Sequence, residues 1–142
     1  MQAEDNKTVI RRFLKEVFEG GELDLIDELF APDYVLHDPV VPEEVRGPEG
    51  MKQYVSMYRS AYPDTHFTIE DQVSEGDRVV TRWTGQGTQQ GELMGIAPTG
   101  NQVTVTGIEI DRISGGKIEE TWVSYDALGM MQQLGVVPRQ GG

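Results

Sequence analysis

Near the start of the chain, apolar residues come in adjacent pairs: Val9 and Ile10, Phe13 and Leu14, Val17 and Phe18. That spacing buries one face of a helix, and Gly20-Gly21 ends it. A second, short helix is predicted with Leu25, Ile26, Leu29 and Phe30 on its apolar side. Ala31-Pro32 stops it, because proline cannot continue a helix. Tyr34 to Asp38 reads as a short β-strand closed by Pro39, and residues 40–47, acidic and rich in turn formers, as a loop. Pro48 suits the first turn of a third helix. On it Met51, Tyr54, Val55, Tyr58 and Tyr62 recur at helical spacing until Pro63.

Beyond Pro63 the period shortens to 2. Phe67, Ile69 and Val73 alternate with polar residues, and Ser74-Glu75-Gly76-Asp77 signals a hairpin turn. Val79 to Thr88 is a strand and Gly91 to Asn101 a loop. Val103 and Val105 alternate one way, Ile108 and Ile110 the other; Gly107 at the switch predicts a β-bulge. After the tight turn Ser114-Gly115-Gly116, Ile118 to Tyr125 forms the last strand. Asp126 caps a final helix holding Leu128, Met131 and Leu134, and residues 138–142 are a loose tail. Three helices and then a run of antiparallel strands predict an α+β fold. The helices cover one face of a curved sheet, which encloses an internal apolar pocket.

The length, 142 residues, fits a single domain over 1–142. Acidic residues outnumber basic ones, 24 to 12, for a net charge of −12. That balance argues against nucleic acid or an anionic membrane as partner. Cysteine is absent, which excludes disulfides and thiolate chemistry, and two histidines are too few for a three-histidine zinc site. The start of the chain lacks the basic-then-apolar layout of a secretory signal, so a cytoplasmic location is expected. There is no phosphate-binding glycine loop, no His-Glu-x-x-His and no Gly-x-Ser-x-Gly. Catalysis is left to carboxylates, one histidine, hydroxyls and amides.

On the last strand, parity puts Ile118, Glu120, Trp122, Ser124 and Asp126 on one face. Ile118 and Trp122 are the natural core pair, so Glu120 is expected to point inward between them. Desolvation would then raise its pKa, as a general acid or base requires. The plainer alternative is that Glu120 pairs with Arg82 or Arg112 and only holds the sheet together; a bulge would expose it. On the strand before, either Ile108 and Ile110 or Glu109 and Asp111 face the pocket, and the isoleucines are the expected core. Arg82, between Val80 and Thr84, is a candidate to turn inward onto Glu120 or Glu109.

His37, beside Asp38 at a strand end, is a candidate proton shuttle or a plain surface residue; His66 is out of phase and expected to be solvated. Tyr34, Tyr54, Tyr58, Trp83 and Trp122 either line a cavity for a planar ligand or pack the core. The methionines, Met94 among them, fill gaps or lend plasticity to a pocket or dimer surface. Glu120, His37 and Asp38 are thus the candidate catalytic residues. Candidate substrate contacts are Tyr34, Tyr54, Tyr58, Arg82, Met94, Glu109, Trp122 and Ser124.

The stretch from Gly91 to Gly100, Gly-Glu-Leu-Met-Gly-Ile-Ala-Pro-Thr-Gly, resembles a loop of the SnoaL-like polyketide cyclases, also called predicted ester cyclases. His37-Asp-Pro39, Arg82-Trp83 with Gly87-Thr88, Gly107-Ile-Glu-Ile-Asp-Arg112 and Gly116-Lys-Ile-Glu-Glu-Thr-Trp122 match in order and spacing. The resemblance implies a cone-shaped barrel like that of nuclear transport factor two, cystatin-like, with a deep apolar cavity. It implies a homodimer, and neither metal nor organic cofactor. The founding cyclases close a ring by intramolecular aldol condensation, with a pocket aspartate on a late strand as acid/base. By spacing that aspartate falls at or close to Glu120. Thr121 and Val123 stand where many members carry histidine and aspartate, and Thr106 about where a histidine is frequent.

The expected activity is therefore cofactor-independent acid/base chemistry on a small apolar carbonyl compound. The alternatives are a dehydratase, isomerase or epoxide hydrolase of the same superfamily, a carrier of a small hydrophobic ligand, or an interaction module.

Overall fold

A computed structural model describes residues 2–41 and 43–137, with side chains from Asp5 onward. The tail expected over 138–142 lies outside the described residues. Helix α1 (Gln2–Arg12) runs on into a π-wound stretch, Phe13–Glu19. The apolar pairs explain the change in winding. They repeat every four residues, and at 100° per residue a straight α-helix would carry each pair about 40° further round than the last. Wider winding keeps Phe13, Leu14, Val17 and Phe18 all buried. Arg59 then closes the open helix end, donating to the carbonyls of Phe18 at 2.9 Å and Glu19 at 2.6 Å.

Helix α2 (Leu25–Leu29) leads directly into strand β1 (Phe30–His37), longer at its start than the sequence pattern predicts. The loop that follows contains a two-residue strand, β2 (Val45–Arg46), before helix α3 (Gly47–Ala61). Strands β3 (His66–Glu75), β4 (Arg78–Thr88), β5 (Gln102–Ser114) and β6 (Lys117–Tyr125) come next, then helix α4 (Ala127–Leu134). Asp126 accepts from the Gly129 amide at 2.9 Å and caps α4 as expected. The helix buries Met130 and Leu134, whereas Leu128 faces solvent.

The sheet runs β2-β1-β6-β5-β4-β3. It is antiparallel throughout except for β1 on β6, which is parallel and corrects the all-antiparallel expectation. The sheet stays open, with β2 and β3 as its edges. Helices α1 and α3 lie on its concave face, and an aromatic chain fills the space between. Phe13 meets Phe18 and Phe30 edge-on, Phe30 meets Tyr34, and Phe67 meets Phe18 and Trp83. Side chains of this size stabilise by about 1.5–3 kcal/mol each on burial. No described helix is long and apolar enough to cross a membrane.

Three strands correct the parity expectations. Strand β5 carries no bulge at Gly107: its pairing to β4 and β6 runs through that residue without a shift. The inward set is therefore Val103, Val105, Gly107, Glu109, Asp111 and Ile113, with Ile108 and Ile110 outside. The bulges sit elsewhere. On β6 Arg112 pairs with Glu120 and Ile113 with Ile118, which leaves Glu119 as the extra residue. On β3 Glu70 is extra, between the Ile69–Trp83 and Asp71–Arg82 pairs, and Val73 turns outward. Past the β6 bulge the inward residues are Thr121, Val123 and Tyr125, not Glu120, Trp122 and Ser124.

Candidate active site

Between the helices and the concave face lies an apolar cavity of about 110 Å³. Phe18, Leu36, Met51, Phe67 and Val123 supply much of its wall. Two groups of polar side chains break that lining.

The first comes from β1, β4, β5 and β6. Glu109 lines the cavity and is only 5% exposed. Asp111, two residues on and 1% exposed, stands behind it. The Tyr34 hydroxyl donates to Thr121 Oγ1 at 2.8 Å, and Thr121 donates to Asp111 Oδ1 at 2.5 Å. Asp111 Oδ2 has no hydrogen-bond partner among the described residues. Burial first, and then the neighbouring Glu109, push the Asp111 carboxyl well above the usual carboxylate range. Glu109 is also raised by burial, against the lowering effect of Asp111 and of the Trp83 indole N–H beside it. That N–H is buried and makes no hydrogen bond of regular geometry among the described residues. Two neighbouring buried carboxyls resist ionising together, so the pair holds a proton more tightly than a solvated carboxyl does. Of the two, Glu109 lines the cavity and is the carboxyl a ligand would meet. Gly107 makes room for the arrangement, since a Cβ there would overlap the Trp83 ring.

The second group comes from α3 and the end of β6. Tyr54, Tyr58 and Tyr62 sit at four-residue spacing, so their rings share one face of the helix and its end. All three, with Tyr125, line the cavity. Tyr54 donates to Asp38 Oδ2 at 2.8 Å, and Tyr58 and Tyr125 pair hydroxyl to hydroxyl at 2.8 Å. The Tyr62 hydroxyl is buried without a partner among the described residues. Burial raises the pKa of all four, Tyr58 and Tyr62 to about 12.

The residues singled out from sequence fall on both sides of the sheet. Tyr34, Tyr54, Tyr58 and Glu109 line the cavity. Asp38 is buried just behind Tyr54, its second oxygen accepting from the Val40 amide at 2.9 Å. Glu120 does not point inward, because the Glu119 bulge turns it to the outer face. There it meets His37 Nε2 at 2.7 Å and an Arg112 amino group at 3.2 Å. These partners, His37 first, hold its pKa below the ordinary value. The desolvated position expected between Ile118 and Trp122 is thus replaced by a surface ion-pair cluster. His37 lies in that cluster, with Nδ1 on Glu44 at 2.9 Å and its ring stacked on Trp122 at 5.6 Å.

Arg82 also faces outward, paired to Asp71 at 2.6 Å, so the inward placement is corrected; it alternates with the inward residues Thr81 and Trp83. Ser124 and Trp122 share the outer face. Met94 lies in the 89–101 loop, exposed and at φ 46°, and does not reach the cavity. Among the described residues no cluster of three or more His, Asp or Glu is placed to hold a metal ion. Sequence reasoning missed Asp111, Thr121, Tyr62 and Tyr125. For Asp111 the signal was the unbroken alternation from Val103 to Ile113; for Tyr62 it was the four-residue tyrosine spacing.

A curved, open six-stranded sheet wrapped on a helical layer, with a polar-studded apolar cavity inside, defines the α+β class to which nuclear transport factor two and ketosteroid isomerase belong. A protein of ketosteroid isomerase-like fold from Catenulispora acidiphila superposes with a TM-score of 0.77 at 18% identity, over 91% of this chain and 93% of that one. Within the class the chain belongs to the SnoaL-like polyketide cyclase family, whose sequence profile matches residues 8–134. TsrD from Streptomyces laurentii is 31% identical, with a TM-score of 0.84 over 94% of this chain and 97% of that one. IdmH from Streptomyces antibioticus, a candidate polyketide cyclase, is 34% identical, with a TM-score of 0.77 over 92% and 99%. A search of curated proteins finds no match.

Proposed function

We propose that this SnoaL-like protein is an acid/base enzyme acting on a small apolar carbonyl compound, with intramolecular aldol ring closure as its reaction type. One observation carries the reading: Glu109 brings a buried carboxyl to a largely apolar cavity, with a second buried carboxyl, Asp111, behind it. In water a carboxylate is too weak a base for a carbon acid; burial raises its pKa and strips its hydration. Glu109 accepts the proton from the carbon next to the carbonyl, and the C–H electron pair moves to form the enolate. The enolate carbon attacks a second carbonyl carbon of the same molecule, a C–C bond forms, and the alkoxide takes the proton back from Glu109. Asp111 stays protonated, positioned by the Tyr34–Thr121 relay. Glu120 is assigned instead to the outer ion-pair cluster.

The test uses acetophenone as a minimal carbon acid in D2O, with exchange of its methyl protons followed by NMR. Wild-type protein is expected to speed exchange above the buffer rate. Glu109→Gln is expected to lose at least 100-fold of that, as general-base removal does, and Glu120→Gln to stay within about twofold. Full exchange by a folded Glu109→Gln variant sinks the assignment.

The same proposal includes assembly with a second copy. Across the outer face Val73, Val80, Ile110, Trp122 and His37 form one cross-strand row in register. Val73 is 64% exposed and the adjacent Ile108 47%. The apolar members of that row, Val73, Val80 and Ile110, with Ile108 beside them, offer an isologous contact across the middle of an open sheet.

A further inference from the structure

Glu109 can take a proton, but the charge then appears on the substrate oxygen, which needs donors. They stand at a fixed offset. Glu109 pairs with Val123 and Gly107 with Tyr125, so Tyr125 lies two residues beyond Glu109 on the same inward face, about 7 Å along the strands. Beside it are the hydroxyls carried by α3.

Of four tyrosine O–H donors, Tyr54 spends its own on Asp38. One of Tyr58 and Tyr125 donates to the other, which leaves the second O–H without an acceptor of regular geometry among the described residues. Tyr62 has no partner among the described residues, although its side chain is more than nine-tenths buried. A buried hydroxyl without an acceptor costs roughly 1–3 kcal/mol, a cost that a ligand oxygen would remove. Phenols are suited to the task. Their pKa values are far above neutrality here, so every hydroxyl stays protonated and donates. Among the described residues the one carboxylate hydrogen-bonded to the cluster is Asp38, whose two oxygens are engaged by Tyr54 and the Val40 amide.

We propose that the hydroxyls of Tyr62 and of the Tyr58–Tyr125 pair form an oxygen-accepting pole that binds the substrate carbonyl and stabilises the enolate oxygen when Glu109 takes the adjacent proton. The substrate class follows: a carbonyl compound whose apolar body fills the aromatic part of the cavity, with its oxygen toward α3 and its acidic carbon toward β5. The catalytic part of this inference rests on the Glu109 reading; the oxygen pole does not.

The experiment compares acetophenone with ethylbenzene, similar in shape but without the oxygen, titrated against tryptophan fluorescence. Tyr62→Phe and Tyr125→Phe are tested beside wild type. Either variant is expected to lose about tenfold in acetophenone affinity, equivalent to ~1.4 kcal/mol. Ethylbenzene binding is expected to stay within about twofold, which also reports an intact cavity. Unchanged acetophenone affinity in both variants overturns the pole. So does equal loss of both ligands, or a wild-type protein that takes up the hydrocarbon but not the ketone. Glu109→Gln separates the two readings. If it leaves the tyrosine dependence of ketone binding intact and also leaves proton exchange intact, the base assignment fails and the oxygen pole stands.

Discussion

Asp111 is the most deeply buried carboxyl of the described chain, and its chemistry has a sign that titration can read. A carboxyl whose pKa is raised on folding binds more protons in the native state than in the unfolded one. Stability then falls as pH rises from the unfolded value, about 4, toward the native one. Below about 4 both states are neutral and the penalty vanishes. Asp111→Asn copies the protonated form, since its carbonyl still accepts from Thr121 and its amide can face Glu109. It is expected to match wild type near pH 4 and to be the more stable protein at pH 7–8, by chemical denaturation at each pH. A wild type that gains on the variant as pH rises would refute the raised Asp111 carboxyl. Glu120 titrates in the opposite sense: its lowered pKa contributes stability above the unfolded value and loses it as pH falls. A second consequence at this scale belongs to Gly107, whose added methyl would meet the Trp83 ring. Gly107→Ala is expected to cost about 1–3 kcal/mol, as overpacking does. Trp83→Phe should recover part of it, so the double variant is less destabilised than the sum. Strictly additive losses in thermal denaturation would count against that contact. These side chains were only half legible. Tyr34, Tyr54 and Tyr58 announced themselves as aromatics at core spacing. Glu109 was obscured by the rule that isoleucines go inside.

That rule failed through the strands, not through the residues. Helices were legible because apolar periodicity, Pro48 and Gly20-Gly21 fix them locally. Strand faces depend on register, and register on where the extra residues fall. Gly107 looked like a bulge and is a packing gap. The true bulges, at Glu70 and Glu119, carry no glycine signal, because their extra side chains simply point to solvent or to Arg112. The bulge expected at Gly107 exchanged Glu109 and Asp111 for Ile108 and Ile110, and the unexpected one at Glu119 exchanged Thr121 for Glu120. The β6 bulge can be tested directly. With Glu119 removed, Ile118 and Thr121 fall on the same face by plain alternation, so the cavity lining survives. Deleting Trp122 instead sends Val123 and Tyr125 outward. Deletion of Glu119 should leave a cooperative thermal transition and ethylbenzene binding, and deletion of Trp122 should abolish both. If both deletions fold equally well, the bulge does not set the register.

At the scale of the whole molecule, charge and shape pull against each other. The chain carries −12, so two copies approaching face to face repel at long range. Their contact, if the outer row is the interface, is apolar at Val73, Val80, Ile108 and Ile110 and unaffected by salt. Screening shortens the repulsion to about 8 Å at 0.15 M ionic strength and about 3 Å at 1 M. Association through this face therefore strengthens with added salt, the reverse of an interface built on ion pairs. Ile108→Glu puts a charge into the middle of the patch, on the face opposite the cavity, and should yield monomers that still bind ethylbenzene. Sedimentation equilibrium across a salt series decides the matter. Dimers that tighten with salt in wild type and vanish in Ile108→Glu support the outer face as the contact. Dimers that persist in the variant place the contact elsewhere, and a wild type that stays monomeric at high salt leaves the apolar row without a second copy.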